Sequence, residues 1–382
     1  MIRVVVRDIE TSAWMAITIE GATISHVEPA TPPDGPVVWA CPAFWDLQMN
    51  GRWGVSFSDS TLTVDQVAAI VRAQAALGTA RLCPTLITAP QADLLHGVRT
   101  IAEACDRFPD VARMVLGIHL EGPSISERDG YRGAHPLGAV RGPDWDEFLA
   151  LREASGDRIA IITLAPERPG AIDFIRRASA EGVVVALGHT AADASTIQQA
   201  SAAGATLSTH LGNGIASPID RHPNPIWDQA SEDGLWASLI ADGHHLGPSV
   251  LKALVRIKTP GRIFLVSDAS PLAGLPPGRY GAWEVEASGR VVVAGTLYLA
   301  GANRGIEAGV DHLIRWAGIA PPQAIDAATR HPARLLGLPG PTLETGRSAN
   351  LIRYRLVSGG ERPRFVLIGT CVDGEWVEVG PR

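Results

Sequence analysis

The middle of the chain alternates between short apolar runs and stretches in which apolar residues recur with a helical spacing. Eight apolar runs have the length of buried strands, and they lie at residues 37–49, 80–87, 114–122, 159–165, 183–188, 205–211, 236–241 and 263–268. Between most of them lie alanine-rich segments that end close to a glycine, such as residues 64–77, 171–180 and 192–203. Eightfold strand–helix alternation favours a (β/α)8 TIM-type barrel over an open doubly wound α/β sheet.

The two ends of the chain have a different pattern, in which short β-type stretches are separated by glycine- and proline-rich turns. These stretches lie near residues 2–6, 15–19, 23–27, 350–356, 364–368 and 376–379. We therefore predict a small β-sandwich domain formed by residues 1–40 and 345–382, together with a barrel domain over residues 41–344.

Two segments interrupt the alternation in the barrel. Residues 212–234 are rich in proline and are predicted as a long loop after the sixth strand, and long loops in compact domains usually carry function. Residues 278–299 contain two short apolar runs around Ser288-Gly289, which predicts a β-hairpin inserted after the eighth strand.

Composition and charge exclude several classes of protein. The 382 residues are 46% hydrophobic and 19% charged, which indicates a large core, and the net charge of −7 gives no basic surface for nucleic acid. No apolar run approaches the roughly 20 residues of a membrane helix, and the amino terminus lacks the order of a signal peptide. The four cysteines show no CxxC spacing, and we interpret them as reduced thiols. We expect a cytoplasmic protein with no nucleic-acid or membrane partner.

Four predicted strands end in a residue that can bind a metal ion or move a proton. Glu121, His189 and His210 follow the third, fifth and sixth strands, and Asp268 follows the eighth. In a barrel the carboxyl ends of all strands meet at one face, where active sites lie. One carboxylate and two imidazoles are typical of a catalytic zinc site with an open position. A single histidine at such a place can instead cap a helix or hydrogen-bond a loop, but three residues of this kind favour a metal site.

The other candidate residues each have a structural alternative. Asp268 is a candidate general base and acid, because a carboxylate beside an activated water can take its proton, and its alternative role is a helix N-cap. The segment Asp242-Gly243-His244-His245 follows the seventh strand, and either of its histidines can polarise a carbonyl group. His119 shares a strand face with Glu121 and either supports it or is a core histidine.

These residues lie in segments that together resemble one known family. The segments are PAFWDLQMNG at 42–51, PTLIT at 84–88, HLEGP at 119–123, GAH at 133–135, TLAPE at 163–167, GHT at 188–190, THLGN at 209–213, DGHH at 242–245 and VSD at 266–268. In this order and over nearly the whole chain, they resemble the N-acetylglucosamine-6-phosphate deacetylases of the amidohydrolase superfamily. Many amidohydrolases carry His-x-His on the first strand for a second metal, whereas this chain has Gln48 and Asn50.

The resemblance implies a role for each matching residue. It implies one divalent metal ion per chain, bound by Glu121, His189 and His210, with zinc as the first expectation and iron, manganese or cobalt as alternatives. It makes Asp268 the catalytic acid and base, and it favours His245 over His244 as the contact to the substrate carbonyl. It implies substrate contacts at Ala134, Asn213, Gly214, His245, Leu299, Ala300 and Gly301, and a phosphate contact at Arg221, which often reaches into the neighbouring subunit of a homodimer.

The implied activity is hydrolysis of the acetamide of N-acetylglucosamine 6-phosphate to glucosamine 6-phosphate and acetate, a step of amino-sugar metabolism. The chain departs from the family pattern at Ser124, which replaces an aromatic residue, at residues 211–215, at residues 300–304 and in a longer segment at 126–132. Because these changes lie near the expected sugar and phosphate, one alternative is an amidohydrolase of another N-acyl substrate, such as N-acetylgalactosamine 6-phosphate, an N-acyl amino acid or a cyclic amide. A second alternative is a catalytically inactive metal-binding barrel, although the intact Asp268 argues against it.

Overall fold

The computed structural model describes residues 1–358 and 360–379. The strands in chain order are β1 Ile2–Asp8, β2 Trp14–Glu20, β3 Thr23–Pro29, β4 Trp39–Pro42, β5 Phe44–Met49, β6 Gly51–Arg52, β7 Val55–Ser56, β8 Thr79–Ile87, β9 Ile118–Glu121, β10 Ile159–Leu164, β11 Val184–Leu187, β12 Ala205–Ser208, β13 Trp236–Leu239, β14 Ile263–Leu265, β15 Gly278–Tyr280, β16 Trp283–Val285, β17 Val291–Val293, β18 Leu351–Val357, β19 Arg364–Val372 and β20 Glu375–Glu378. The α-helices are α1 Val64–Ala73, α2 Gln91–Arg107, α3 Pro109–Met114, α4 Trp145–Ala154, α5 Ala171–Ala180, α6 Ala194–Ala203, α7 Pro225–Ser231, α8 Pro248–Lys258, α9 Ile306–His312, α10 Pro321–Asp326 and α11 Arg330–Leu335.

Eight parallel strands form the barrel sheet, in the order β14-β13-β12-β11-β10-β9-β8-β5. The barrel closes where Met49, at the end of β5, bridges Ala269, just beyond β14. Across this seam the backbone N–H of Asp268 donates to Gln48 O and that of Asn50 to Ala269 O, each at 2.9 Å. The predicted (β/α)8 barrel is confirmed, and the seam lies beside the predicted active-site residues.

The barrel strands are apolar on both faces, which is why they appear in the sequence as continuous apolar runs. On β10, Ile161 belongs to a cluster inside the barrel, whereas Ile162 belongs to the layer between the sheet and the helices. The helices meet this layer with one face, as α5 does with the buried Phe174, Ile175 and Ala178. Side chains therefore fill the barrel interior, and polar groups are concentrated at its mouth.

The chain termini form a separate seven-stranded sheet, in the order β20-β19-β18-β4-β1-β2-β3. Residues from both ends of the chain share one core, which includes Val6, Ile17, Ile24, Leu351 and Cys371. The predicted terminal β domain is thus present, and its strands belong to one continuous sheet. The sheet includes β4, which ends two residues beyond the predicted limit of 40. Residues 359 and 380–382 of the predicted domain lie outside the described residues, and its exact limits stay a prediction.

Several predicted elements differ from those observed. The predicted strand 37–49 is divided into β4 and β5, which belong to different sheets, and the predicted strand 114–122 begins only at Ile118 because Met114 ends α3. The predicted loop 212–234 contains α7, which begins because the Asn224 side chain accepts from the N–H groups of Ile226 and Trp227. The inserted segment has a third strand, β15, which pairs with β16. None of the helices in the described ranges is long and apolar enough to cross a membrane.

Candidate active site

Three candidate metal-ligand side chains converge at the mouth of the barrel. Glu121 is the last residue of β9, and His189 and His210 are each the second residue after β11 and β12. Glu121 Oε1 lies 2.9 Å from His210 Nε2 and 3.3 Å from His189 Nε2. One ligand atom from each of the three buried residues lies within 4.8 Å of the others. The donor set and its burial fit a divalent metal ion that keeps further positions for water and substrate.

The backbone turns sharply where it delivers these side chains. His189, His210 and Asp268 have φ angles of 50°, 32° and 47°, in the left-handed region that residues with a side chain rarely adopt. Such conformations persist only where the surrounding structure enforces them, and they cluster at functional sites. Three of them after strands of the same barrel face, β11, β12 and β14, support the interpretation of this face as the active site.

Surrounding groups fix the orientation of the His189 ring. Its Nδ1 lies 2.9 Å from the backbone oxygen of Tyr131, so Nδ1–H donates to that oxygen and Nε2 is the ring atom that faces Glu121. A Cβ on Gly214 would lie 2.8 Å from His189 Nδ1, and a Cβ on Gly133 would lie 3.2 Å from Cε1. The His189 ring therefore packs between Gly133 and Gly214, and a side chain at either position would crowd the ring.

Gln48 and Asn50 lie at or just after the end of β5, the first strand of the barrel, where many amidohydrolases carry histidines. Gln48 Nε2 donates to Glu121 Oε1 at 2.8 Å and to Asp268 Oδ1 at 3.2 Å. Asn50 Nδ2 donates to Asp268 Oδ1 at 2.7 Å. N–H groups, which cannot bind a cation, thus face both carboxylates, and this arrangement favours a single metal ion. The network also leaves Asp268 Oδ2 as the oxygen that takes part in none of these bonds.

The two acidic groups of the site have opposite pKa shifts. Burial would raise the pKa of Glu121, but hydrogen bonds from His189 and His210 and the charges of these rings hold it well below its usual value. Burial and the neighbouring Glu121 charge raise the pKa of Asp268 to about 6, although His210, His245 and Asn50 act in the opposite direction. A permanently ionised ligand beside a carboxyl group that can both take and give a proton is the arrangement that acid–base catalysis requires.

The loop after β13 separates the two candidate histidines. The His245 side chain lines the active-site cavity, and its Nδ1 lies 2.9 Å from Asp242 Oδ2. His244 is turned toward the inserted segment, where its Nε2 would lie 3.9 Å from a Cβ on Gly289. The structure therefore brings only His245 together with the metal ligands.

The active-site cavity has a volume of about 210 Å³. It is lined by the three metal ligands and Asp268, and also by predicted substrate residues, namely Ala134, Asn213, Gly214, His245, Leu299, Ala300 and Gly301. Arg221 is exposed and does not line it, so the predicted phosphate contact is not brought to the site within this chain. Among the described residues that line the cavity, none is a lysine or an arginine.

The chain is similar to several proteins of known function, although no protein-family model matches it. The human N-acetylglucosamine-6-phosphate deacetylase is 37% identical over 324 residues, which cover 81% of this chain and 78% of that protein. The chain belongs to the N-acetylglucosamine-6-phosphate deacetylase family. The N-acetylgalactosamine-6-phosphate deacetylase of Escherichia coli O157:H7 is 34% identical over 316 residues, 82% of each chain.

A solved structure of the deacetylase family agrees with the fold. The enzyme of Mycobacterium smegmatis, in an aspartate-to-alanine variant bound to N-acetyl-D-glucosamine 6-phosphate, superposes with a TM-score of 0.84 at 29% sequence identity. The match covers 98% of this chain and 99% of that one, so it includes the barrel and the terminal sheet.

His135 lies in the candidate active site, although the sequence alone did not indicate a role for it. It lines the cavity, its Nε2 lies 3.2 Å from His189 Nε2, and its Nδ1 lies 2.9 Å from Thr88 Oγ1. Burial and the nearby His189 lower its pKa to about 3, so the ring is neutral. Its place in the Gly133-Ala134-His135 motif was the available signal. The inserted segment also contributes Trp283, Leu297 and Tyr298 to the cavity, for which the local sequence gives no signal.

His119 supports the candidate active site through buried hydrogen bonds. Its Nδ1 donates to Leu47 O at 3.0 Å, so its Nε2 accepts from Thr163 Oγ1 at 2.8 Å, and Thr163 Oγ1 lies 2.7 Å from Thr209 Oγ1. Burial lowers the pKa of His119 to about 4 and keeps the ring neutral. The chain of bonds ties four barrel strands together directly beneath the metal ligands.

Proposed function

We propose that this protein hydrolyses the acetamide of N-acetylglucosamine 6-phosphate and releases glucosamine 6-phosphate and acetate. It is a hydrolytic enzyme of the amidohydrolase superfamily. The observation that carries the proposal is the cluster of Glu121, His189 and His210 in one cavity with a carboxyl group, Asp268, whose pKa lies near neutrality. The M. smegmatis relative, solved with this substrate bound, supports the choice of substrate. A cytoplasmic location is part of the same proposal.

A single divalent metal ion would be held by Glu121 Oε1, His189 Nε2 and His210 Nε2. We expect zinc, and iron, manganese and cobalt accept the same nitrogen and oxygen donors. When bound, such an ion lowers the pKa of a water molecule and polarises the amide carbonyl group.

Asp268 moves the proton in the proposed reaction. As the water oxygen forms its bond to the carbonyl carbon, Asp268 takes the proton that the water loses. When the C–N bond breaks, the same carboxyl group gives this proton to the leaving nitrogen, so that the amino sugar departs as an amine. The amide donors of Gln48 and Asn50 hold the Asp268 carboxylate in place, and His245 lies in the cavity as the donor to the carbonyl oxygen.

The phosphate group needs a cation that the cavity of one chain does not supply. Because no arginine or lysine lines the described cavity, we assign this role to Arg221 of a second subunit in a homodimer. Its exposed position in the segment before α7 leaves the guanidinium free to meet a neighbouring molecule.

N-acetylgalactosamine 6-phosphate is the second candidate substrate. The relative from E. coli O157:H7 that carries this activity in its name is 34% identical to the chain. The residues that depart from the family pattern, such as Gly214 and Ile215, line the cavity and can alter sugar selectivity without changing the metal ligands.

The test combines metal analysis with one assay. The purified protein is analysed for metal, and acetate release is then measured from N-acetylglucosamine 6-phosphate, N-acetylgalactosamine 6-phosphate and unphosphorylated N-acetylglucosamine. We expect about one metal ion per chain and the highest kcat/KM for the first compound. A higher kcat/KM for N-acetylgalactosamine 6-phosphate would mean that this epimer is the substrate. Bound metal with no acetate release from any of the three would overturn the proposed function.

A further inference from the structure

The turn after β11 leaves the backbone of His189 little freedom to move. His189 has a φ of 50°, in the left-handed region. A Cβ on Gly188 would lie 2.8 Å from side-chain atoms of both Thr163 and Thr209, so the backbone passes between the ends of β10 and β12 without room for a side chain. The His189 backbone oxygen accepts from the N–H of Ser126 at 2.9 Å. A strained turn of this kind persists only because the surrounding structure holds it.

Glu167 holds the residues that follow His189. Its Oε1 accepts from the backbone N–H of Ala191 at 2.7 Å, and its Oε2 accepts from the hydroxyl of Thr190 at 2.5 Å. Thr190 Oγ1 in turn accepts from the backbone N–H of Ala192 at 3.0 Å. Thr190 is only 1% exposed, so water has little access to its hydroxyl. One carboxylate therefore fixes, directly or through Thr190, the three residues that come after His189.

The segment that carries Glu167 is itself anchored to the next loop. Glu167 follows β10, which lies between β9 and β11 in the barrel sheet. The backbone N–H of Ala165, two residues before it, donates to the oxygen of Ser124 in the loop after β9 at 2.9 Å. The loops after β9, β10 and β11 are thus tied together just beyond the strands that deliver Glu121 and His189. Glu167 therefore helps to set the distance between these two side chains, which is 3.3 Å from Oε1 to Nε2.

We propose that Glu167 is a positioning residue for the proposed metal site, because it keeps the turn after β11 in the conformation that presents His189 Nε2 to the ion. The inference rests on the metal binding of the proposed function. Glu167 does not line the active-site cavity, so it acts through His189 and not on the substrate. Groups that orient a metal ligand typically contribute about 10- to 100-fold to metal affinity. The contribution of Glu167 is therefore to the binding of the ion and not to the reaction at the loaded site.

The test uses Glu167→Ala in the full-length protein, with zinc as the probe. The Kd for zinc is measured on metal-free protein by competition with a chelator of known affinity. We expect it to rise by about 10- to 100-fold, because both hydrogen bonds to the turn are lost. With zinc in excess, kcat and KM for acetate release should stay close to the wild-type values. Glu167→Gln keeps an acceptor for the Ala191 N–H, and its Kd should lie between those of the wild type and Glu167→Ala.

Asp193→Ala is the matched control. Asp193 is an exposed carboxylate in the same loop, and its Oδ1 accepts from the backbone N–H of Thr196 at the start of α6 at 2.8 Å. Loss of this helix cap should lower the unfolding temperature of the metal-free protein and leave the Kd for zinc at the wild-type value. Thermal unfolding of the metal-free variants therefore measures the general loss of stability, and the Kd measures the position of His189.

The outcomes separate this proposal from the proposed function. A wild-type Kd for zinc in Glu167→Ala would overturn it, and so would an equal rise in Kd for Asp193→Ala, since any destabilised loop would then weaken the site. If Glu167→Ala does not fold, an unchanged Kd in both Glu167→Gln and Thr190→Val, which lacks the hydroxyl donor, would overturn it. If the wild type binds zinc but hydrolyses none of the three sugars, and Glu167→Ala binds zinc more weakly, the positioning role stands and the proposed function falls.

Discussion

The proposed metal centre, defined as Glu121, His189 and His210, and the proposed substrate wall, defined as residues 213–215 and 297–301, are built differently. Each of these three residues lies at or just after the end of a barrel strand and is buried. Each also has a further hydrogen-bond partner, which for His210 is bonded by the backbone N–H and not by the ring. The substrate wall lies on a loop and on the inserted segment, where Leu297 is 85% exposed. The departures from the family pattern occur in or near the wall and leave the metal centre intact. Reaction chemistry is thus fixed by the barrel, while sugar selectivity can change with the loops.

The largest expected effect comes from breaking the metal centre itself. Glu121→Gln should lower bound metal and reduce kcat/KM by about 1,000-fold or more, because the metal supplies several kcal/mol of transition-state stabilisation. Chelation should have the same effect on the wild type and be reversed by zinc. Full activity of Glu121→Gln, measured with its metal content, would place the catalytic metal elsewhere.

Asp268→Asn tests whether the proton carrier can be separated from the metal centre. We expect metal content to stay near the wild-type value and kcat to fall by about 100- to 10,000-fold, the range of general acid–base catalysis. The amide cannot take a proton from water, although it resembles the carboxylate in shape. Steady-state kinetics together with elemental analysis check this, and a loss of metal would mean that Asp268 is itself a ligand.

Arg221→Ala tests the contribution of the segment that precedes α7 to substrate binding. The KM for a phosphorylated substrate should rise by about 10-fold or more with little change in kcat, since a charged hydrogen bond to phosphate contributes about 1.5–3 kcal/mol. The unphosphorylated analogue should show no such change. Arg256→Ala, at another exposed arginine on α8, is the control. An equal rise in KM for the phosphorylated and unphosphorylated substrates would show that Arg221 does not bind the phosphate.

The smallest effect on catalysis is expected at Asp46, below the metal centre at the barrel seam. Its Oδ1 accepts from the backbone N–H groups of Gln48 and Ser267, and burial raises its pKa to about 7. Since the folded state holds this proton more tightly than the unfolded state, the contribution of Asp46 to stability is present at low pH and is lost between about pH 4 and pH 7.

The Asp46→Asn variant should lack this pH-dependent loss and gain on the order of 4 kcal/mol relative to the wild type above pH 7. Chemical denaturation at pH 5 and pH 8 measures the difference between the two proteins. If the difference in free energy of unfolding between the two proteins is the same at both pH values, the pKa of Asp46 is not raised by folding.

The sequence predicted that the residues of the proposed metal centre lie together, because they follow apolar runs that are easy to recognise. The carboxyl ends of parallel strands must meet, so Glu121, His189, His210 and Asp268 could be brought together without knowing any loop. His135 was missed because it lies outside any strand, between β9 and α4, and meets His189 only in the folded chain. The division of residues 37–49 between two sheets was missed for a similar reason, since local periodicity does not reveal which sheet a strand joins.

The pairing of β4 with β18 has a consequence for the order of folding. β4 is separated from the first barrel strand by Ala43 alone, yet its antiparallel partner lies at the opposite end of the chain. While the protein is being synthesised, β1, β2 and β3 can form antiparallel hairpins and β4 can pair in parallel with β1, but the outer edge of β4 has no partner until β18 has emerged. Contacts between such distant segments slow folding and expose a strand edge to other chains. Truncation near the carboxyl terminus should therefore promote aggregation through the amino-terminal strands, although every metal ligand would remain present.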